Sequence, residues 1–570
     1  MSRSTWIALL LCTFVLPSGI TAQQDATPGH TRPGGPPSAT TSPDDDTGGA
    51  EIFLGAFRAI RNYHMDSVSD SALWEMALQG LIEELDDPYA VVFTPEEFEG
   101  FQENNTGNYA GIGVTISQLN DRITITAVFR DAPADEVGLQ VGDYIVGVDG
   151  EDARGWTVEE ASERIRGPEG STVDLRVARE GLSESLPFTV PRDRVHVSAV
   201  TAEMVTESVG YIMVDRVARN SAAEMDSALT HLNDAQSLVL DLRRNPGGYL
   251  DEALDLADLF LDEGQRIASA RSRVPGDSDE TREETWEAEV RPRLPDVPVV
   301  VLVDQYSASA SEIIAGALQD HDRALVMGER TFGKGVVQTV MRIPGDRRIR
   351  LTTGTWYTPL GRSLHRPRDA QGRPVPRDVE GSTVVTTDAG REIQAGGGGI
   401  FPDLPVKSDT LSSGEQALIR ATANAETEIP LNIRLAEFAF EQSQGLRQTE
   451  RLDAIELDAA AFDAFLEELV AEGLPADVAA DPGVRSFLSW RIRGQIANRL
   501  ERTDLALHIR RERDSVLDEA VRLLESVDSQ TELFAAARAR LDADDDEQRV
   551  ETAAGATVPP RDGTAGDLNR

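Results

Sequence analysis

The chain has 570 residues, with 55 Lys and Arg against 98 Asp and Glu, and a formal net charge of −43. That length calls for several domains, and that charge argues against nucleic acid and anionic membrane surfaces as partners. The single cysteine, Cys12, lies near the start of the chain. If the leader around it is removed, disulfides, thiol catalysis and cysteine-ligated metals are excluded.

Residues 1–22 read as a secretory signal: Arg3, an apolar run from Trp6 to Leu16, then small residues to Ala22. The run is too short for a membrane span. Residues 23–49 are rich in Pro, Gly, Ser, Thr and Asp and are predicted to be a disordered tether. Residues 50–107 carry apolar side chains at helical spacing (Phe53, Phe57, Ile60; Leu73, Met76, Leu81, Ile82, Leu85), which predicts helices packed on a core. Residues 108–192 form a second unit. It opens with Tyr109-Ala110-Gly111-Ile112-Gly113-Val114 and later carries Leu139-Gln140-Val141-Gly142-Asp143-Tyr144-Ile145-Val146-Gly147-Val148-Asp149-Gly150.

Residues 193–407 hold two nearly continuous apolar runs, Leu238–Leu242 and Val297–Val303, the pattern of strands buried on both faces. The first runs into Arg243-Arg244-Asn245-Pro246-Gly247-Gly248, a turn that permits φ > 0 and close backbone approach. The second runs through Asp304-Gln305-Tyr306 into Ser307-Ala308-Ser309-Ala310-Ser311-Glu312 and a helical pattern from Ile313 to Leu318. A serine at that helix start faces free N–H groups able to hold a developing negative charge. Ser309-x-x-Glu312 is equally a capping box, which needs no chemistry. Residues 408–541 show further helical patterns (Ala459–Val470, Val516–Leu524). They are predicted to form an extra helical domain serving as dimerisation arm, adaptor dock or cap. Residues 542–570 begin acidic and turn Gly- and Pro-bearing, which predicts a disordered tail.

The 55 basic residues include only two lysines, Lys334 and Lys407, and Lys334 sits in Thr331-Phe332-Gly333-Lys334-Gly335. Arginine stays protonated in proteins, whereas a buried lysine can lose its proton and act as a base. The seven histidines show no zinc-type spacing, and His321 reads as a helix C-terminal residue.

Together LDLRRNPGG, SASASEIIAGALQD, TFGKGVVQ, LTTGTWYTPLGRS and GGGGIFPD resemble the C-terminal processing peptidases, a branch of the S41 serine peptidases, over about Phe53 to Val406. The resemblance implies a multidomain α+β chain: a PDZ domain ahead of a ClpP/crotonase-like α/β protease core, with helical N- and C-terminal regions. It implies Ser309 as nucleophile, Lys334 as general base and Gln338 as the residue that orients the lysine. The oxyanion donors would be the N–H of Ala310 and one from Gly247 or Gly248. No metal or cofactor is implied. The family usually carries asparagine where this chain has Asp304; a carboxylate pointing at the lysine would raise its pKa, and one pointing away would be neutral.

The unit at 108–192 looks like a PDZ domain. Its Gly111, Ile112, Gly113 and Val114 match the loop whose N–H groups hold a peptide's terminal carboxylate while the peptide adds as a strand. Arg166, before Gly167-Pro168-Glu169-Gly170, matches a residue thought to couple peptide binding to the protease. The expected partners are C-terminal tails of protein substrates, with an adaptor or a homo-oligomer through the helical regions, and no nucleic acid. The expected location is the periplasm or cell envelope of a bacterium, or outside the cell. Activity is expected to rise into mildly alkaline pH and to depend on Lys334. A catalytically silent, tail-binding relative of the same fold is the alternative.

Overall fold

The computed structural model describes residues 46–129, 132–179, 181–274, 280–369, 373–375, 383–423, 429–444, 446 and 454–555. The leader, most of the 23–49 segment and the end of the tail lie outside these residues. Where the tail is expected to be disordered from 542, the last helix instead runs Gln530–Gly555, with no break at the acidic run. Strong helix formers (Ala543, Glu547, Gln548, Arg549) recur through that run, and no Gly or Pro interrupts it before Gly555.

The two apolar runs become neighbouring strands of one six-stranded sheet. Its order is Val200–Met204, Val209–Val214, Ser237–Asp241, Val299–Val303, Leu325–Gly328, Leu404–Pro405, antiparallel at the first pairing and parallel thereafter. Every residue of Ser237–Asp241 and Val299–Val303 is buried. A parallel strand must be covered on both faces, and two different sets of helices do this. Leu238, Leu240, Val299, Val301 and Val326 pack with Met225, Leu229, Leu254 and Ile314 from the helices Ser221–His231, Leu250–Asp258 and Ala310–Asp320. Val239, Val300, Leu302 and Met327 pack with Leu507, Leu517, Val521, Leu524 and Leu533 from the C-terminal region. The end of the extra helical region is thus the second cover of the sheet. The helices between Ser413 and Arg499 form a core of their own, with Leu435, Leu469, Leu488 and Ile492 at its centre.

A second, five-stranded antiparallel sheet holds Val91–Phe93, Arg348–Tyr357, Arg266–Arg273 and Thr281–Glu287 in order, with Val336–Arg342 also on Arg348–Tyr357. The residues just before Val336 and just before Val91 are therefore carried to this sheet's edge. The unit after Asn108 is a separate six-stranded antiparallel sheet around Ile125, Ile145, Val173 and Val190, with the helix Val158–Ile165 against it. Its first strand, Val114–Leu119, has a partner on one side only.

The N-terminal helices Asp46–Tyr63 and Asp70–Glu83 pack on each other through Phe57 and Trp74, stacked with centroids 4.2 Å apart. Most of their apolar residues do not reach a core as expected: Phe53, Ile60, Met76, Leu81 and Leu85 are exposed. The pair is too thin to bury more than one stripe of each helix.

Because the C-terminal helices cover the sheet, truncating them should unfold the six-stranded sheet and its helices. Leu517→Ala, at a fully buried position, is expected to cost about 2–5 kcal/mol. Denaturant unfolding followed by tryptophan fluorescence measures this, and a cost under about 1 kcal/mol would mean these helices are a detachable appendage.

Candidate active site

Ser309 stands between the strand Val299–Val303 and the helix Ala310–Asp320 at φ 58°, ψ −115°, a conformation an L residue adopts only under constraint. It is buried, and its Oγ has no hydrogen-bond partner among the described residues. Lys334 comes from the other sheet, two residues before the strand Val336–Arg342. It is 2% exposed, and its Nζ likewise has no hydrogen-bond partner among the described residues.

Glu312, fully buried, joins the two turns. Its carboxylate accepts from the Ser309 N–H at 2.9 Å, the Gly333 N–H at 2.7 Å, the Lys334 N–H at 2.8 Å and the Thr331 hydroxyl at 2.5 Å. The capping-box reading of Ser309-x-x-Glu312 thus describes where the glutamate goes, while the serine hydroxyl stays free for other use.

Burial pushes the Lys334 ammonium well below the ordinary lysine range, and the nearby Arg350 guanidinium pushes it the same way; Glu312 and Asp87 oppose. The Tyr89 ring lies 5.0 Å from Nζ. Burial pushes the Tyr89 phenol up to about 12, so the ring stays neutral. The Tyr89 carbonyl accepts from Gln338 Nε2 at 2.8 Å and Arg350 Nε at 3.3 Å. Gln338 thus reaches the lysine only through Tyr89. It holds the backbone of the residue that covers the lysine, and its Oε1 is buried without a partner.

The Arg243–Gly248 turn lies against the serine. A Cβ on Gly247 would stand 2.6 Å from the Ala308 carbonyl and 2.8 Å from the Ser309 Cβ, and one on Gly248 would collide with the Val217 carbonyl at 1.8 Å. The Gly247 N–H donates to the Asn245 side-chain carbonyl at 2.8 Å and is thus occupied. Among the described residues the N–H groups of Gly248 and Ala310 have no acceptor. The Asn245 carbonyl accepts from the Ala308 N–H and the Ser311 hydroxyl, both at 3.0 Å, which ties this turn to the serine turn. Asp304 faces away from the lysine: its Oδ1 accepts from the N–H groups of Arg244, Tyr306 and Ser307 at 2.9–3.0 Å. Burial raises its pKa, and it is not among the charges that move Lys334. His321 closes its helix and hydrogen-bonds the Arg266 carbonyl at 2.7 Å.

In the second unit Gly113 takes φ 79°, and a Cβ there would overlap the Ala132 side chain. The Ile112 and Gly113 carbonyls accept from the Ala134 and Phe129 N–H groups, whereas their own N–H groups have no acceptor among the described residues. Val114 starts the unpaired strand edge. Arg166 pairs with Glu103 of the helix Pro95–Thr106, just ahead of this unit, at 2.8 Å and lies 5.0 Å from the Tyr109 ring.

Sequence reasoning missed Tyr89, Arg350 and Thr331. Tyr89 was quotable from LDDPYAVVF, but only the pairing of Val91–Phe93 with Arg348–Arg350 places it over the lysine.

Residues 208–372 match the model of "Peptidase family S41", and residues 102–178 match that of the "PDZ domain". A "Probable CtpA-like serine protease" of Staphylococcus haemolyticus is 34% identical over 312 residues, covering 54% of this chain and 61% of that protein. A "Carboxy-terminal-processing protease" of Bartonella bacilliformis is 32% identical over 343 residues, covering 58% of this chain and 77% of that protein. Among solved structures, a photosystem II D1 C-terminal processing protease is 26% identical, with a TM-score of 0.31, over 58% of this chain and 92% of that one. The fold is a PDZ domain followed by an S41 peptidase domain. The chain belongs to the carboxy-terminal-processing protease family, and it spans 61% of the length of the first of these relatives.

A buried lysine whose pKa is lowered is a cost to the fold. The penalty is full below the folded pKa and fades as pH rises from there to the unfolded lysine value of about 10.4. Lys334→Met is therefore expected to raise stability near neutral pH by about 0.5–2 kcal/mol, the scale of relieving one strained functional group, with the gain shrinking toward pH ~10. Glu312→Gln should cost about 2–4 kcal/mol, because an amide cannot accept from all four donors. Thermal melts across pH check both signs.

Proposed function

We propose that the chain is a serine endopeptidase that works through a Ser309/Lys334 dyad and takes the C-terminal tails of exported proteins. The observation that carries this reading is the pair of buried, unpartnered groups, Ser309 Oγ and Lys334 Nζ, on two turns held by one carboxylate.

Neutral Lys334 removes the Ser309 proton as Oγ attacks a peptide carbonyl. The oxyanion forms against the N–H groups of Ala310 and Gly248, both without an acceptor among the described residues. The lysine ammonium then protonates the leaving amine, and water hydrolyses the acyl-enzyme with Lys334 again as base. Oγ and Nζ do not hydrogen-bond each other here, and such contacts often tighten only around substrate.

In the PDZ domain the free N–H groups of Ile112 and Gly113 suit a terminal carboxylate, and the open edge of Val114–Leu119 suits strand addition. The exposed Ile52, Tyr63 and Leu81 of the N-terminal helices, with Met65 between them, suit contact with a second copy or an adaptor. The location is the periplasm or cell envelope.

Incubating the protein and its Ser309→Ala and Lys334→Ala variants with a reporter bearing an unstructured apolar C-terminal tail, with products read by mass spectrometry, tests the reading. Cleavage by the unaltered protein alone is expected; tail binding without cleavage would make it a silent relative, and cleavage by all three would sink the dyad.

The pH profile of kcat/KM should rise along one limb set by Lys334 and then level off, with the limb below the ordinary lysine pKa. Arg350→Gln removes a cation and should move that limb to higher pH, whereas Asp87→Asn removes an anion and should move it lower. A limb unmoved by both would mean that another group titrates.

A further inference from the structure

The turn bearing Gly248 is held from the far side as well, by the C-terminal helices. Asp241 ends the strand Ser237–Asp241 and is fully buried. Its carboxylate accepts from the Tyr211 hydroxyl at 2.8 Å, Arg243 Nη2 at 2.7 Å and Nε at 3.0 Å, and Arg510 Nη2 at 3.0 Å. Arg243, the first residue of the Arg-Arg-Asn-Pro-Gly-Gly turn, also donates through both terminal nitrogens to Asp514, at 2.8 and 2.7 Å. Arg510 adds bonds to the Tyr211 hydroxyl at 2.8 Å and Asp514 at 3.3 Å. Two carboxylates thus face two guanidiniums in a largely buried, charge-balanced cluster, half of it from the protease sheet and half from residues 510–514. A forked arginine–carboxylate pair fixes orientation as well as distance.

Beyond Arg243 the turn is held at every step. Arg244 sits at φ 59° with its N–H on Asp304, Asn245 is fully buried with Nδ2 on the Val214 carbonyl at 2.8 Å, and Gly247 abuts the serine turn. An oxyanion donor works only if it is placed to within a fraction of an ångström. We infer that Asp514 is a positioning residue for the reaction. Through its forked pair with Arg243 it sets the register of the turn that presents the Gly248 N–H, so the C-terminal helices form part of the catalytic apparatus. This rests on the dyad reading above.

Asp514→Asn separates positioning from folding. Asp514 caps the helix Ser515–Glu525 through the Leu517 N–H at 3.0 Å, and asparagine caps as well as aspartate. The substitution therefore keeps the helix start and removes the charge that orients Arg243. Three readouts are taken on the full chain: kcat and KM for the tailed reporter, affinity for a peptide boronic acid whose tetrahedral adduct occupies the oxyanion site, and amide hydrogen exchange over 243–250. The expected result is a kcat lower by about 10- to 100-fold, within the range of a lost oxyanion donor. KM should stay within about twofold, with boronate affinity falling in step with kcat and exchange rising most in the turn; losing one carboxylate of the buried cluster should also lower the thermal midpoint while the protein stays folded at assay temperature. Asp514→Glu, which keeps the charge, should recover part of the loss. Wild-type kcat and exchange in Asp514→Asn would overturn the inference, as would faster exchange spread over the whole core. If the unaltered protein fails to cleave, the dyad reading falls, and exchange at the turn still decides whether Asp514 positions it.

Discussion

The Glu312 carboxylate is the point on which the site depends. Ser309 belongs to the parallel sheet and Lys334 to the antiparallel one. Two sheets packed through side chains alone would leave the separation of their turns to the least ordered parts of each. Glu312 replaces that freedom with three backbone N–H donors and one hydroxyl converging on a single buried group. Burial raises its pKa, while the four donors pull it down. The serine turn is strained at φ 58°, and one bond that holds it there, from the Ser309 N–H, leaves Oγ untouched.

The C-terminal helices follow from a different constraint. A parallel sheet with one bare face cannot persist in water, and the family-like segment up to Val406 supplies helices for only one face. The chain meets this with Thr503–Arg511, Ser515–Glu525 and Gln530–Gly555. The same region reaches the PDZ domain, where Glu437 accepts from the Asn120 N–H at 2.8 Å and Phe440 and Gln444 lie against Gly142. One helical region thus touches both the PDZ domain and the turn beside Ser309, while Arg166 is tied to Glu103.

Strands buried on both faces, the two glycines beside the serine and the serine at a helix start were all legible, because each is a local pattern with one structural solution. Gln338 was legible as a candidate, but its partner was not, since the Tyr89 carbonyl, 249 residues away in sequence, reaches it only through a strand pairing. Of Gly247 and Gly248, the first has its N–H taken up by the Asn245 side chain, whose direction no spacing reveals. Asp304 left two directions open, and its three backbone donors chose the one away from the lysine. The acidic run that begins at Asp542 misled because composition weighs charge and ignores the helix already running into it; likewise, the apolar spacing of residues 50–85 marks helices without saying how many of their faces find a partner.

The use of lysine at 334 can be argued from its neighbours. A net charge of −43 would by itself hold protons on any amine, yet surface charge is screened within about 8 Å at physiological ionic strength, and Lys334 is buried beneath Tyr89 and the Glu312 turns. What it feels is local: lost hydration first, then Arg350, itself mostly buried and lowered only to about 10. Of two adjacent buried cations, the one with the lower intrinsic pKa gives up its proton, and lysine lies roughly two units or more below arginine. Arg350 thus acts on Lys334 by keeping its own charge, which a second lysine at that position would not reliably do. A chain that uses arginine almost everywhere else therefore places its one buried amine where a neighbouring guanidinium favours the neutral form.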